Sequence, residues 1–330
     1  MKKISYIYKK FNKSMAFLYI EDILDKINKF IIDYNNILSL KMTCKKIYSH
    51  SFNICITNYI SKTNDTIIGI IFTKNIPIDI TNYRNILYLD CKYNTYIQDI
   101  SSLTSLIYLK CQHICTDLSL LTTLKYLDCK YNTYIQNISS LINLVSLNCQ
   151  YCRNITNIPL LTNLTYLDCS YTNITNIPSL SNLTYLNCSY TQIVKLPKLQ
   201  KLKVLICYHT KISSVNKNCP NLIELNCDNT NVSNVSKLNY LQSLQCIDTR
   251  IEYVNNLVNL TYLNCTGSNF IREVNNLVNL TELHIAYTNI TNISNLTNLI
   301  VLDIRQRGIQ IINDISNMTT LVYLNNIKIR

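Results

Sequence analysis

Apolar positions in this chain recur at two nested periods. The stretch Asn163-Leu-Thr-Tyr-Leu-Asp-Cys-Ser-Tyr-Thr-Asn-Ile-Thr-Asn-Ile-Pro-Ser-Leu180 returns almost unchanged as Asn182-Leu-Thr-Tyr-Leu-Asn-Cys-Ser-Tyr-Thr-Gln-Ile193. Inside it, Leu-x-Cys alternates with polar or aromatic residues, the period of a strand with one buried face. Ile-x-x-Ile or Ile-x-x-Val then turns the chain back. The longer period is set by the second leucine of Leu-x-x-Leu, which falls at Leu89, Leu109, Leu127, Leu147, Leu167, Leu186, Leu205, Leu225, Leu244, Leu263, Leu283, Leu302 and Leu324, in steps of 18 to 22 residues. One such unit cannot bury its own apolar stripe, whereas stacked units cover one another, so stability becomes a sum over neighbours. A unit this short leaves little room for a full helix after a strand and two turns. Extended or 3₁₀ structure is therefore expected on the convex side.

The pattern divides the chain into four parts. Residues 1–17 form a basic N-terminal segment. In residues 18–48, Ile20, Ile23, Leu24, Ile27, Phe30 and Ile31 recur at three- and four-residue steps, which predicts a helix with Glu21 and Asp22 in its first turn. Asp33 to Asn36 interrupts it, and Ile37, Leu38 and Leu40 begin a second short helix. Residues 49–84 are a junction, read as an N-terminal cap or degenerate repeat, with a buried strand over Thr66 to Phe72. Residues 85–330 hold about 13 units, the last stopping inside a strand with no dedicated C-terminal cap; Lys328 and Arg330 are placed there to discourage edge pairing.

The unit resembles the leucine-rich repeat, whose pattern is L-x-x-L-x-L-x-x-N/C-x-L. The resemblance implies an α/β solenoid: a leucine-rich-repeat array with a parallel β-sheet on its concave face, plus a small α-helical N-terminal region. Its asparagine column, which in that family satisfies backbone groups at a buried turn, here holds Asn94, Asn132, Cys152, Thr172, Thr191, Thr210, Thr230, Thr249, Ser268 and Thr288. A hydroxyl can serve with fewer donors than an amide. Ile114 and Gly308 cannot, so irregular turns are expected at those two positions.

Residues 18–48 resemble an F-box. That pattern runs Leu-Pro, Glu-Ile-Leu-x-x-Ile-x-x-Leu, Asp-Leu-x-x-Leu and Val-Cys-Lys-x-Trp. Here stand Leu18-Tyr19, Asp22-Ile-Leu-Asp-Lys-Ile-Asn-Lys-Phe30, Asn36-Ile-Leu-Ser-Leu40 and Thr43-Cys-Lys-Lys-Ile47, with the proline and tryptophan replaced. The resemblance implies docking on a Skp-type adaptor of a cullin-RING ubiquitin ligase, with the repeats holding a protein substrate. Ile23, Leu24, Ile27, Leu38 and Leu40 would supply adaptor contacts or pack the F-box itself. The alternative is a helical cap sealing the first repeat of a cytosolic binding scaffold, and both can hold. AT-rich composition and a degenerate F-box together resemble the repeat proteins of large DNA viruses of amoebae, for which the setting would be host cytoplasm.

Composition changes this picture little. The chain has 330 residues and a formal net charge of +12, usually a hint of nucleic acid or anionic membrane. Its lysines are spread along the chain, and abundant Ile, Asn, Lys and Tyr share AT-rich codons, so nucleic-acid binding is not expected. Ten of the 15 cysteines occupy one column, Cys91, Cys111, Cys129, Cys149, Cys169, Cys188, Cys207, Cys227, Cys246 and Cys265, which then changes to Ile285 and Ile304. Interchange with isoleucine predicts a buried ladder. A disulfide stack is the alternative, because neighbouring strands lie about 4.8 Å apart; in-register side chains nevertheless point the same way, which favours packing. No secretory signal follows Met1-Lys-Lys, so a reducing cytoplasm is expected, and no apolar run suffices for a membrane span.

Residues between buried strand positions face the concave side. Before the second leucine stand Tyr88, Tyr108, Tyr126, Ser146, Tyr166 and Tyr185; two places beyond the cysteine stand Tyr93, His113, Tyr131, Tyr151, Tyr171, Tyr190 and His209. Two tyrosine columns thus flank a polar one that includes Asp90, Lys110, Asp128, Asn148, Asp168 and Asn187. Tyrosine is enriched at interface hot spots. A protein partner is therefore expected on Tyr126, Tyr166, Tyr171, Tyr185 and Tyr190, and alanine at Tyr166 and Tyr185 should abolish capture with little change in melting temperature. Alternatively the tyrosines merely stack on one another. The four histidines are scattered and three glycines allow no phosphate loop, so no catalytic residue, metal or cofactor is expected.

Overall fold

The computed structural model describes the backbone of residues 54–60 and 66–72, and residues 75, 77, 79–305, 315 and 318–329. The basic segment, the F-box-like segment with Ile23, Leu24, Ile27, Leu38 and Leu40, and Gly308 lie outside the described residues.

An antiparallel hairpin, β1 (Ile54–Ile60) and β2 (Thr66–Phe72), opens the sheet. Then come twelve strands of three residues each: β3 (Tyr88–Asp90), β4 (Tyr108–Lys110), β5 (Tyr126–Asp128), β6 (Ser146–Asn148), β7 (Tyr166–Asp168), β8 (Tyr185–Asn187), β9 (Val204–Ile206), β10 (Glu224–Asn226), β11 (Ser243–Gln245), β12 (Tyr262–Asn264), β13 (Glu282–His284) and β14 (Val301–Asp303). A second hairpin, β15 (Tyr323–Leu324) and β16 (Ile327–Lys328), closes it. Strand order is chain order, and every neighbour pair from β2 to β15 is parallel. Ile70 of β2 pairs in register with Leu89, so Thr66–Phe72 does extend the column backwards. Strand β1 was not apparent in the sequence pattern.

The register never slips from β3 to β14. Each second leucine sits beside the next, as in Leu167↔Leu186 and Leu186↔Leu205. A slip by one residue would turn the whole leucine set to solvent. Leucines, isoleucines and the ten column cysteines are buried in one continuous core, and the cysteines are free thiols. The convex return holds no regular helix within the described repeats. It consists of extended segments joined by turns such as Leu103 N to Ile100 O (2.9 Å) and Leu106 N to Leu103 O (3.1 Å), the tight geometry that the unit length demands.

Polar residues stitch successive turns together. Asn182 Nδ2 donates to Thr162 O (2.9 Å), Asn259 to Asn239 O (2.7 Å), Asn279 to Val258 O (2.9 Å) and Asn298 to Val278 O (2.9 Å). These asparagines satisfy carbonyls that the short repeat leaves unpaired, so their placement has a structural role. At the turn column the threonine hydroxyls donate to the cysteine carbonyl three residues back, as from Thr172 to Cys169 O (2.6 Å) and Thr191 to Cys188 O (2.6 Å). Asn132, Cys152 and Ser268 reach back a whole turn instead, to the carbonyls of Ile114, Cys129 and Cys246. Ile114 is buried without a polar atom to offer, and residues 112–113 form a bend outside the left-handed conformation used by the turns from Tyr131 to Tyr287.

The C-terminal expectation needs correction. Asn325 and Asn326 take positive φ (51° and 68°), the signature of a two-residue hairpin turn, and β16 folds back to cover the open edge of β15. Asn325 Oδ1 also accepts from Ile304 N (2.8 Å), tying the turn to the preceding repeat.

Candidate protein-recognition surface

Each three-residue strand buries its central leucine and turns its first and third residues to the concave face. The first position builds one aromatic ladder. Tyr88 and Tyr108 stack at 4.3 Å and 11°, Tyr108 and Tyr126 are tilted at 6.3 Å, and Tyr166 and Tyr185 stack at 4.5 Å and 9°. Ser146 interrupts the series, so Tyr126 belongs to the patch formed with Tyr108 and is separated from Tyr166 and Tyr185.

The second tyrosine column lies elsewhere. Tyr131, Tyr151, Tyr171, Tyr190 and His209 occupy the turn after the strand, and all five have positive φ, from 54° to 66°. Left-handed backbone costs a non-glycine residue about 1 kcal/mol or more. Two things offset that cost. The conformation aims each N–H at the next turn, as in Tyr131 N to Gln150 O (2.9 Å), Tyr151 N to Ser170 O (3.0 Å) and Tyr171 N to Ser189 O (2.9 Å). It also brings the rings into one continuous stack with centroid spacings of 4.7, 4.3, 4.3 and 4.5 Å. Tyr208 packs edge-on against Tyr190 at 5.4 Å. The five tyrosines singled out in the sequence therefore fall into three places: Tyr126 on the first patch, Tyr166 and Tyr185 on the central strands, and Tyr171 and Tyr190 on the rim. Tyr131, Tyr151, Tyr208 and His209 complete the rim stack.

Between the ladders, the third strand position is a capping column. Its carboxylate or amide accepts from the backbone N–H two residues on, as Asp90 from Lys92 (3.2 Å), Asp128 from Lys130 (3.2 Å), Asp168 from Ser170 (3.0 Å), Asn187 from Ser189 (3.2 Å) and Asn264 from Thr266 (3.2 Å). This is the Asx-turn geometry that favours aspartate and asparagine where a strand ends. Burial pushes the Asp168 carboxyl up, opposed by its bonds to Ser170 and Asn187. Burial and the Asp90 charge push Tyr88 up to about 12, and burial likewise raises Tyr166 and Tyr185, whose hydroxyls interact.

Toward the C-terminal end the face becomes ionic. His284 Nε2 lies 2.8 Å from Glu282 Oε1, and its Nδ1 lies 3.7 Å from Asp303 Oδ2. Arg305 donates to both Asp303 oxygens, at 2.9 and 2.6 Å. Burial lowers the His284 pKa, but its bonds to Asp303 and Glu282 outweigh this and raise it to about 9. Burial opposes ionisation of Asp303, yet His284 and Arg305 hold its carboxyl well below the usual range. Among the described residues no cluster of three or more His, Cys, Asp or Glu is arranged to hold a metal ion, and no helix is long and apolar enough to cross a membrane.

A family pattern described as "Leucine Rich repeats (2 copies)" matches residues 162–201. The array is a solenoid of leucine-rich-repeat type. The leucine-rich-repeat architecture is shared with an internalin, InlF, from Listeria monocytogenes at 25% identity and a TM-score of 0.70, over 78% of this chain and 86% of that one. The functional domain of InlJ from the same organism, which includes a cysteine ladder, matches at 27% identity and a TM-score of 0.68, over 78% of this chain and 62% of that one. A leucine-rich-repeat protein of Leptospira interrogans shares the fold at 19% identity and a TM-score of 0.58, over 76% of this chain and 80% of that one. No curated protein matches the chain. In this leucine-rich-repeat array the cysteine column is a buried ladder of free thiols.

Proposed function

We propose that this leucine-rich-repeat solenoid is a protein-recognition module whose aromatic concave face and rim hold a polypeptide partner. The observation that carries the reading is the pair of stacked ladders. Tyr166 and Tyr185 on the strands, and Tyr131 to His209 on the rim, offer amphipathic contact area whose rings are already stacked without a partner. Preorganised aromatic edges are the kind of surface on which hot spots form.

The finer reading is that residues 18–48 act as an F-box, docking on a Skp-type adaptor through Ile23, Leu24, Ile27, Leu38 and Leu40. The chain would then be the substrate receptor of an SCF-type ubiquitin ligase in the cytoplasm, the host's if its resemblance to viral repeat proteins holds. Its support is the spacing of Asp22-Ile-Leu-Asp-Lys-Ile27 and of Thr43-Cys-Lys-Lys46. The second reading, a binding scaffold with a helical cap, draws on the need of any solenoid to seal its first repeat. A pull-down of the full chain with a purified Skp-type adaptor separates them. Binding by the wild type and loss with Leu24→Asp support the receptor. No binding by a folded chain reduces residues 18–48 to a cap.

A further inference from the structure

The charge of the concave face changes along the sheet. Around β3 to β5, Asp90 and Asp128 are balanced by Lys92, Lys110 and Lys130. From β7 onward the strand positions and the turn just beyond them carry Asp168, Glu224, Asp228, Asp248, Glu282 and Asp303 against one permanent cation, Arg305. Arg305 is already engaged by Asp303, and His284 is held between Glu282 and Asp303. Asp168 is satisfied by Ser170 and Asn187, and Asp228 accepts from Ile247 N at 2.7 Å. Glu224 differs. Among the described residues its carboxylate has neither a hydrogen-bond partner nor an ion-pair partner.

Its setting makes that unusual. Glu224 pairs in register with Val204 on β9 and Ser243 on β11. Val204 is 5% exposed, closed over by its neighbours, and beyond it lies Tyr185, whose phenol feels the Glu224 charge. Burial pushes the Glu224 carboxyl up, with no group nearby to pull it down. A half-buried carboxylate without a counter-charge works against the folded state. The chain carries a net charge of +12, yet this part of its concave face offers aromatic rings and uncompensated carboxylates together. Rings and carboxylates are the two groups that attract an ammonium or guanidinium.

We propose that the partner seated on this face is an extended polypeptide segment bearing lysine or arginine, and that one of its cationic side chains docks on Glu224, two strands from Tyr185 across Val204. The proposal rests on the recognition role above and adds the chemistry of the partner. Pairing supplies the missing counter-charge at the centre of the sheet, where the aromatic half of the face meets the acidic half. At physiological salt the charge of the rest of the molecule is screened within about 8 Å, so local complementarity decides the contact. Nucleic acid, being anionic, would meet like charge here.

The test titrates the full chain with a short fluorescent peptide alternating lysine and serine, and with its glutamate-for-lysine counterpart. The lysine peptide should bind, and Glu224→Gln should weaken it roughly tenfold or more, as loss of one partner of a desolvated charge pair does. The variant should melt no lower than the wild type, because it removes an unpaired charge; a structural role for Glu224 would lower its melting temperature. Unchanged affinity in Glu224→Gln, or absence of lysine-peptide binding, overturns the proposal. If the glutamate peptide alone binds, and Tyr166→Ala abolishes that binding, the recognition face survives and its preference for cations falls.

Discussion

At the scale of single residues, the most informative position is the one after the strand, where Tyr171 combines a φ of 57° with stacking on both sides. Glycine would suit the backbone better, so the ring must provide the compensation. Tyr171→Gly relieves the backbone and deletes two stacks, each worth about 0.5–1.5 kcal/mol beyond area burial; Tyr171→Phe keeps both. Thermal melts should therefore show Tyr171→Gly clearly below the wild type and Tyr171→Phe close to it. A glycine variant as stable as the wild type would show that the stack contributes nothing. Tyr166 and Tyr185 stack at 4.5 Å, so alanine there removes packing as well as any partner contact, and its effect on melting cannot be small. The spacing of the column was legible in the sequence, but its backbone conformation was not. Nothing in the residue types signals a left-handed turn when tyrosine fills a place where glycine or asparagine is the usual marker; only Asn229, Asp248 and Gly267 in the same column carry that mark.

At the scale of elements, the strands and their register could be read directly, because Leu-x-Cys at a constant step admits only one face and one pairing. Both ends were harder. Strand β1 pairs antiparallel with β2, outside the repeat period, so periodicity gave no sign of it. The β15–β16 hairpin depends on Asn325-Asn326, a turn signal embedded in a run that otherwise continues the repeat. Both residues have positive φ, which glycine adopts at no steric cost. Asn-Gly is the preferred pair for such a turn, so Asn326→Gly should stabilise the hairpin slightly, with the greater freedom of glycine in the unfolded chain offsetting part of the gain. Asn325 should not be replaced, because its side chain accepts from Ile304 N. Hydrogen exchange at Ile329, whose N–H bonds Val322 O at 2.8 Å, reports this locally; faster exchange in Asn326→Gly would contradict the assigned turn. The Asp and Asn of the third strand position line the concave face, yet their capping bonds give them a structural role as well. An Asx turn and a polar contact residue look the same in sequence.

At the scale of the molecule, the buried cysteine ladder sets a limit on alkaline stability. Each of its ten thiols is raised above the ordinary value near 9 by burial, the largest cause for nine of them; for Cys129 the bond to Cys152 comes first and burial second. The folded ladder keeps its protons where the unfolded chain loses them, so stability is lost as pH rises through and above 9. One pH unit above that value costs on the order of 1 kcal/mol for each thiol kept protonated, and a ladder of ten makes the combined loss large against the stability of a typical domain. Under reducing conditions the melting temperature should fall steeply between pH 9 and 10. Replacing Cys169, Cys188, Cys207, Cys227 and Cys246 with valine, half of the ladder, should make the slope clearly shallower, the remainder coming from the other five thiols, Cys219 and the buried tyrosines. An unchanged slope would place the alkaline transition elsewhere.

Recognition through the concave rim is the central claim, and site-specific photo-crosslinking measures it most directly. Benzoylphenylalanine would replace Tyr190, 41% exposed on the rim stack, or Tyr240, 61% exposed outside the concave columns, in the full chain expressed in a eukaryotic cytoplasm. Reproducible protein adducts at position 190 and none at 240, despite its greater exposure, are predicted. Adducts at 240 alone, or equal yields at both positions, would contradict recognition through the aromatic face.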